Sequence, residues 1–121
     1  MPTQQATAPS SGRALEHPSA TDIRLEGVLH ALSDPVRLRI VCRLATDGGE
    51  MACSVFDLPV SKSTGTHHFR VLRQSGVIQQ MYRGTAKMSL LRRAELESLF
   101  PGLLDSVLTA AHDQERRIGP A

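Results

Sequence analysis

The sequence has no tryptophan, one tyrosine and three phenylalanines, so aromatics make up only 3% and the core must be aliphatic. Its two cysteines, Cys42 and Cys53, form no C-x-x-C pair. A disulfide framework is therefore not expected, and a zinc ribbon lacks ligands. No stretch approaches the roughly 18 uninterrupted apolar residues of a membrane span. The start lacks the basic, apolar, small-residue order of a secretory signal, so the expected compartment is the cytoplasm. There is no G-x-S-x-G, no H-E-x-x-H, no P-loop and no convergent acid–base pair. An enzyme is therefore not expected, and no cofactor is assigned. The most telling absence is of negative charge. Between Pro59 and Ala94 there is no Asp or Glu, while Lys62, Arg70, Arg73, Arg83, Lys87, Arg92 and Arg93 all fall there. A local field of one sign points to a polyanionic partner.

What is present is globular. With 121 residues, 40% hydrophobic and 21% charged, the chain suits one domain with tails. Residues 1–20 are rich in Pro, Ser, Thr, Gln and Ala without periodicity, and read as a flexible tail. The domain is expected over residues 21–115, with a short tail over 116–121.

Leu25, Val28, Leu29 and Leu32 recur at helical spacing, with Thr21 or Asp22 as the expected cap. Asp34 and Pro35 then suit the cap and first turn of a second helix, running to about Thr46 and apolar nearly all round. Asp47-Gly48-Gly49 reads as a turn. Glu50 to Leu58 reads as a two-turn helix with Met51, Val55 and Leu58 inward. Ser61 opens a further helix that ends at Gly76. On it Gly65, His68, Phe69 and Leu72 share one face, and the polar and basic side chains take the other. This pair of helices describes a helix-turn-helix. After Gly76 the period changes to two, and Val77–Tyr82 and Thr85–Leu91 form a β-hairpin with Arg83-Gly84 at its tip. From about Arg93 to Glu115 an apolar seam continues, interrupted by Pro101, which should kink or restart the helix. Leu25, Leu29, Leu99, Leu103, Val107 and Ala111 are the expected dimer contacts, because one small domain cannot cover so wide a seam. The expected class is mainly α with a small β-hairpin wing (α+β), a winged helix-turn-helix.

Two blocks carry a resemblance. Ala31-Leu32-Ser33-Asp34-Pro35-Val36-Arg37-Leu38-Arg39-Ile40 resembles the A-L-A-D-P-T-R-L-R-I signature of ArsR/SmtB-type winged helix-turn-helix regulators. The segment from Ser61 to Ile78 is similar to their S-x-S-T-V-S-H-H-L-x-V-L-R-x-A-G-L-V block, and Tyr82-Arg83-Gly84-Thr85 to their wing tip. The resemblance spans about residues 22–112. It implies a homodimeric regulator, usually a repressor that leaves its palindromic operator when an effector binds. By that analogy the Ser61–Ser75 helix enters the major groove of double-stranded DNA.

The candidate DNA-binding residues are Lys62, Ser63, Thr64, Thr66, His67, Arg70, Arg73, Arg83 and Lys87, with Arg70 the best suited to read guanine. His68 is expected in the core. Gly65 departs from the family, which has a bulky aliphatic there; the helix is looser or its backbone is closely approached. Thiolate-type metal sensors carry C-x-C where this chain has only Cys53. Zinc-type sensors pair D-x-H with H-x-x-E; here His112 and Glu115 complete the second half, but Asp105 lacks its histidine. Asp105, His112 and Glu115 therefore stand as an incomplete metal set, and no metal is assigned. The competing class is a winged-helix protein-interaction module without effector sensing, to be separated from a DNA reader by salt-dependent binding.

Overall fold

The computed structural model describes residues 13–119. Helix α1 spans Leu25–Leu32 and α2 spans Pro35–Asp47. The Asp34 carboxylate caps α2, its Oδ1 accepting from the amides of Val36 (2.8 Å) and Arg37 (3.1 Å). Gly48, at φ 80°, closes the helix. Helix α3, Lys62–Gln74, starts with Ser61 Oγ accepting from the Thr64 amide. It ends in a Schellman pair, with Val77 N–H donating to Leu72 O and Gly76 N–H to Arg73 O. Gly76 sits at φ 88°, and a Cβ there would meet Ile23 at 2.5 Å, so only glycine fits. Helices α4 (Arg93–Leu99) and α5 (Leu103–Ile118) are separated by Phe100-Pro101-Gly102, as Pro101 requires.

Four strands form one antiparallel sheet in the order β1-β3-β4-β2: β1 Arg13–Ala14, β2 Met51–Ala52, β3 Ile78–Arg83 and β4 Ala86–Leu91. The β3–β4 hairpin turns through Gly84-Thr85, one residue later than the expected tip. Gly84 has φ 63° and, among the described residues, no non-glycine residue has positive φ, the pattern of a type II′ turn. The aliphatic core joins α1 (Val28, Ala31), α2 (Ile40, Val41, Leu44), α3 (Phe69, Leu72) and the start of the hairpin (Val77, Ile78). Packing against α1 and α2 seats the inner face of α3 and leaves its other face in solvent.

Several expectations are corrected. Thr21 and Asp22 lie in a 3₁₀ turn, Ala20–Asp22, where Ser19 Oγ bonds the Asp22 carboxylate; α1 starts only at Leu25, after Arg24. Glu50–Leu58 is not a two-turn helix. Met51 and Ala52 pair with Ser89 and Met88 of β4, and only Cys53–Val55 coils, as a 3₁₀ turn. The free edge of β4 supplies ladder bonds that outweigh a weak helical pattern. Residues 13–20 leave the expected tail, since β1 pairs with β3 and Leu15 N–H donates to Gln80 O. Residues 1–12 and 120–121 lie outside the described residues, and 116–118 continue α5. Helix α2 is not covered all round, because Leu38, Cys42 and Ala45 remain half-buried.

Candidate nucleic-acid interface

The exposed face of α3 carries Lys62, Ser63, Thr64, Thr66, His67 and Arg70. None of these has an ionic partner among the described residues. Ser61 Oγ donates to Thr64 Oγ1 at 3.0 Å and lies 3.3 Å from Ser63 Oγ, so three hydroxyls gather at the first turn. Partial positive charge from unpaired amides suits that turn to an anion. Thr66 Oγ1 donates back to Lys62 O, which leaves its oxygen free to accept.

The inner face of α3 is held by a polar pivot missed by the sequence reading. Arg37 is buried and spans three elements. Its Nε donates to Ala31 O (2.8 Å), its Nη2 to His30 O, and its Nη1 to His68 Nδ1 (3.1 Å). His30 O also accepts from the Ser33 amide and hydroxyl that cap α1, so the guanidinium adds to the end of α1 while gripping α3. His68 is the core histidine expected, accepting at Nδ1, with Asp34 Oδ1 at 4.0 Å. Burial pushes the Asp34 carboxyl up, but the amides of Arg37 and Val36 and the nearby positive charge outweigh it, leaving it below its ordinary range. A cation inside an apolar run was the available signal for Arg37. Gly65 is not closely approached: a Cβ there would meet Leu58 Cδ1 at 3.6 Å, an ordinary contact.

The wing divides the remaining candidates. Gln80 is fully buried and ties four segments together. Its side chain accepts from Arg73 Nη1 (2.7 Å) and donates to Ser89 Oγ (3.1 Å) and Cys53 Sγ (3.5 Å), and its backbone N–H donates to His17 Nε2 (2.8 Å). Arg73 is thus turned toward the hairpin instead of standing free. Strand alternation puts Tyr82 on the Gln80 side, and register puts Lys87 opposite Tyr82, so Lys87 lies on the side of the hairpin that meets α3. Its ammonium sits 5.8 Å from the Tyr82 ring centre. Arg83 points to the other side. It is clamped by Glu50, with Nε–Oε1 and Nη2–Oε2 both 2.6 Å. This pair of charge-assisted hydrogen bonds holds the Glu50 carboxyl below, and the Arg83 guanidinium above, its usual range.

The other candidates are spread out. Leu25, Leu29 and Leu99 are exposed, while Leu103, Val107 and Ala111 are half-buried. Asp105 is taken by Arg93 at 2.8 Å, and no three His, Cys, Asp or Glu side chains gather among the described residues, so Asp105, His112 and Glu115 do not converge within one chain. No helix of the described residues is long and apolar enough to cross a membrane.

These features define a winged helix-turn-helix fold. A solved structure that shares this fold is that of an ArsR family transcriptional regulator, with a TM-score of 0.55 and 23% identity, covering 68% of this chain and 90% of the other. No family model matches the chain. In sequence it is similar to the uncharacterized HTH-type transcriptional regulator YceK of Bacillus subtilis, 29% identical over 82 residues, 66% of this chain and 82% of the relative. It is also similar to the uncharacterized HTH-type transcriptional regulator MJ1325 of Methanocaldococcus jannaschii, 32% identical over 59 residues, 48% of this chain and 66% of the relative. In both sequence and fold the chain is thus similar to helix-turn-helix transcriptional regulators.

Proposed function

We propose that this chain is a cytoplasmic, homodimeric repressor that binds a palindromic operator and releases it when an effector binds. The observation carrying this reading is the solvent face of α3, basic, hydroxyl-rich and without acidic side chains, rigidly seated through Arg37 and His68. In it, α3 enters the major groove, Arg70 reads a base edge, and Lys62 with the hydroxyls at the first turn meets phosphates. Arg73 and Lys87 line the flank next to the wing. The exposed leucines of α1 and α4, with Leu103, Val107 and Ala111 of α5, meet a second copy. A two-fold dimer then spaces its recognition helices by roughly 34–36 Å, one turn of duplex.

The test is fluorescence anisotropy with labelled duplexes from the DNA around the chain's own coding region, over a salt series. Binding should weaken steeply with salt, each neutralised phosphate adding about −0.9 to the logarithmic slope. Absence of binding at low salt refutes the reading and favours the interaction module.

A further inference from the structure

A groove of about 870 Å³ runs between α2 and α5. Small-molecule sites typically measure roughly 300–1,000 Å³. The floor is apolar and incompletely covered. Leu38, Cys42 and Ala45 recur on α2 at helical spacing, each half-buried, and Leu108 faces them from α5. Burial raises the Cys42 thiol, and the Glu115 carboxylate adds to this, so Cys42 is a neutral part of the floor and not a reactive thiolate.

The charges around the groove are unequal. Arg93 is held by Asp105, and Asp34 is engaged as the cap of α2. That leaves Arg39 and Arg43 on the α2 side, exposed and without an acidic partner among the described residues, against Glu115 on the α5 side. Arg43 lies 5.9 Å from the Phe56 ring centre, which leaves Arg39 the freer cation.

We propose that this groove is the effector site, and that it takes a small amphipathic anion whose apolar body lies on Leu38, Cys42 and Leu108 and whose carboxylate meets Arg39. The groove reaches the recognition helix by a short path. Asp34 lines it, caps α2 and stands 4.0 Å from His68 of α3, whose Nδ1 is bonded to Arg37. A ligand that moves α2 against α5 therefore acts on the seat of α3. It alters DNA affinity only by binding the two arrangements unequally. The regulatory half of this proposal rests on α3 being a DNA reader; the binding half does not.

The experiment uses phenylbutyrate as the probe, with phenylbutanol and phenylbutylamine as neutral and cationic partners of the same body. Alkylation of Cys42 in the full chain, followed by mass spectrometry, should slow several-fold in phenylbutyrate, while Cys53, beside Ser89 in the sheet, keeps its rate. Backbone amide shifts should move on α2 and α5. Arg39→Glu, at an exposed side chain, should keep the melting temperature and lose the protection. Equal protection by the alcohol or the amine overturns the anion assignment. No protection and no shifts overturn the site, as does equal slowing at both cysteines. Operator affinity that changes with the probe supports the regulatory half, and unchanged affinity overturns it. A chain that binds no DNA yet shows Cys42 protection refutes the proposed function and leaves the groove standing.

Discussion

Helix α3 and the β3–β4 hairpin share one acid-free stretch of sequence, and folding treats their cations differently. On α3, Lys62 and Arg70 stay on the solvent face with no ion pair among the described residues. Beyond α3, acids from elsewhere in the chain reach in: Glu50 clamps Arg83, Glu95 holds Arg92 and Asp105 holds Arg93. Arg73, at the boundary, is tied to the Gln80 amide. A run of one sign along the sequence is therefore not a field of one sign on the surface. The helix keeps its charge exposed, and the cations beyond it that meet acids hold the fold together.

The largest effect expected from breaking this contrast is at the pivot beneath the helix. Arg37→Ala removes the side-chain donor to Ala31 O and to His68 Nδ1, and should cost about 3 kcal/mol of stability in urea unfolding. Arg83→Ala, at a partly exposed pair, should cost far less. Equal losses would mean that α3 is not seated as described.

The next effect concerns DNA. Arg70→Ala should weaken operator binding by about 1–3 kcal/mol and relax preference at one base pair. Arg83→Ala should weaken it little. Glu50→Gln, which removes a negative charge beside the wing, should tighten binding and steepen the salt slope by up to about 1. Loss of binding in Glu50→Gln would show that the clamp itself shapes the wing.

Gly65→Ala sharpens the helix side of the contrast. The added methyl meets only Leu58 at ordinary distance, and helix propensity favours alanine by about 0.5–1 kcal/mol, so the melting temperature should rise. A fall would mean that α3 and Leu58 lie closer in solution.

The smallest effect is on the wing's outer edge. His17 must be neutral to accept from the Gln80 amide, and burial, then the charges of Arg92 and Arg73, lower its pKa from 6.5. The unfolded chain then takes up a proton before the folded one does. The contribution of His17 is present above about pH 6.5 and is lost as pH falls through the lower folded value. Hydrogen exchange at the Leu15 and Gln80 amides should accelerate in acid, and His17→Gln should flatten that response. An unchanged acid response in His17→Gln would place its origin elsewhere.

Much of the scaffold was legible because its signals are local. Asp34-Pro35 starts α2, Ser61 starts α3, Gly76 ends it, Gly84 turns the hairpin and Pro101 divides the last helices; each acts within a few residues of itself. The misreadings share a cause. Residues 51–52 and 13–14 are strands only because β4 and β3 offer them an edge, and their own patterns are too short to say so. Arg37 was not singled out because its three acceptors lie on α1 and α3.

Sequence alone determined the order of the main helices and the hairpin, the polar outer face of α3 and the run of cations, because caps, turns and periodicity are set by neighbours along the chain. Tertiary structure decided which cations remain available, which strands join the hairpin and where a groove stays open between α2 and α5. Those outcomes depend on which distant groups meet. Glu50 and Arg83 are 33 residues apart in sequence and 2.6 Å apart in space, and charge pairing follows the second distance.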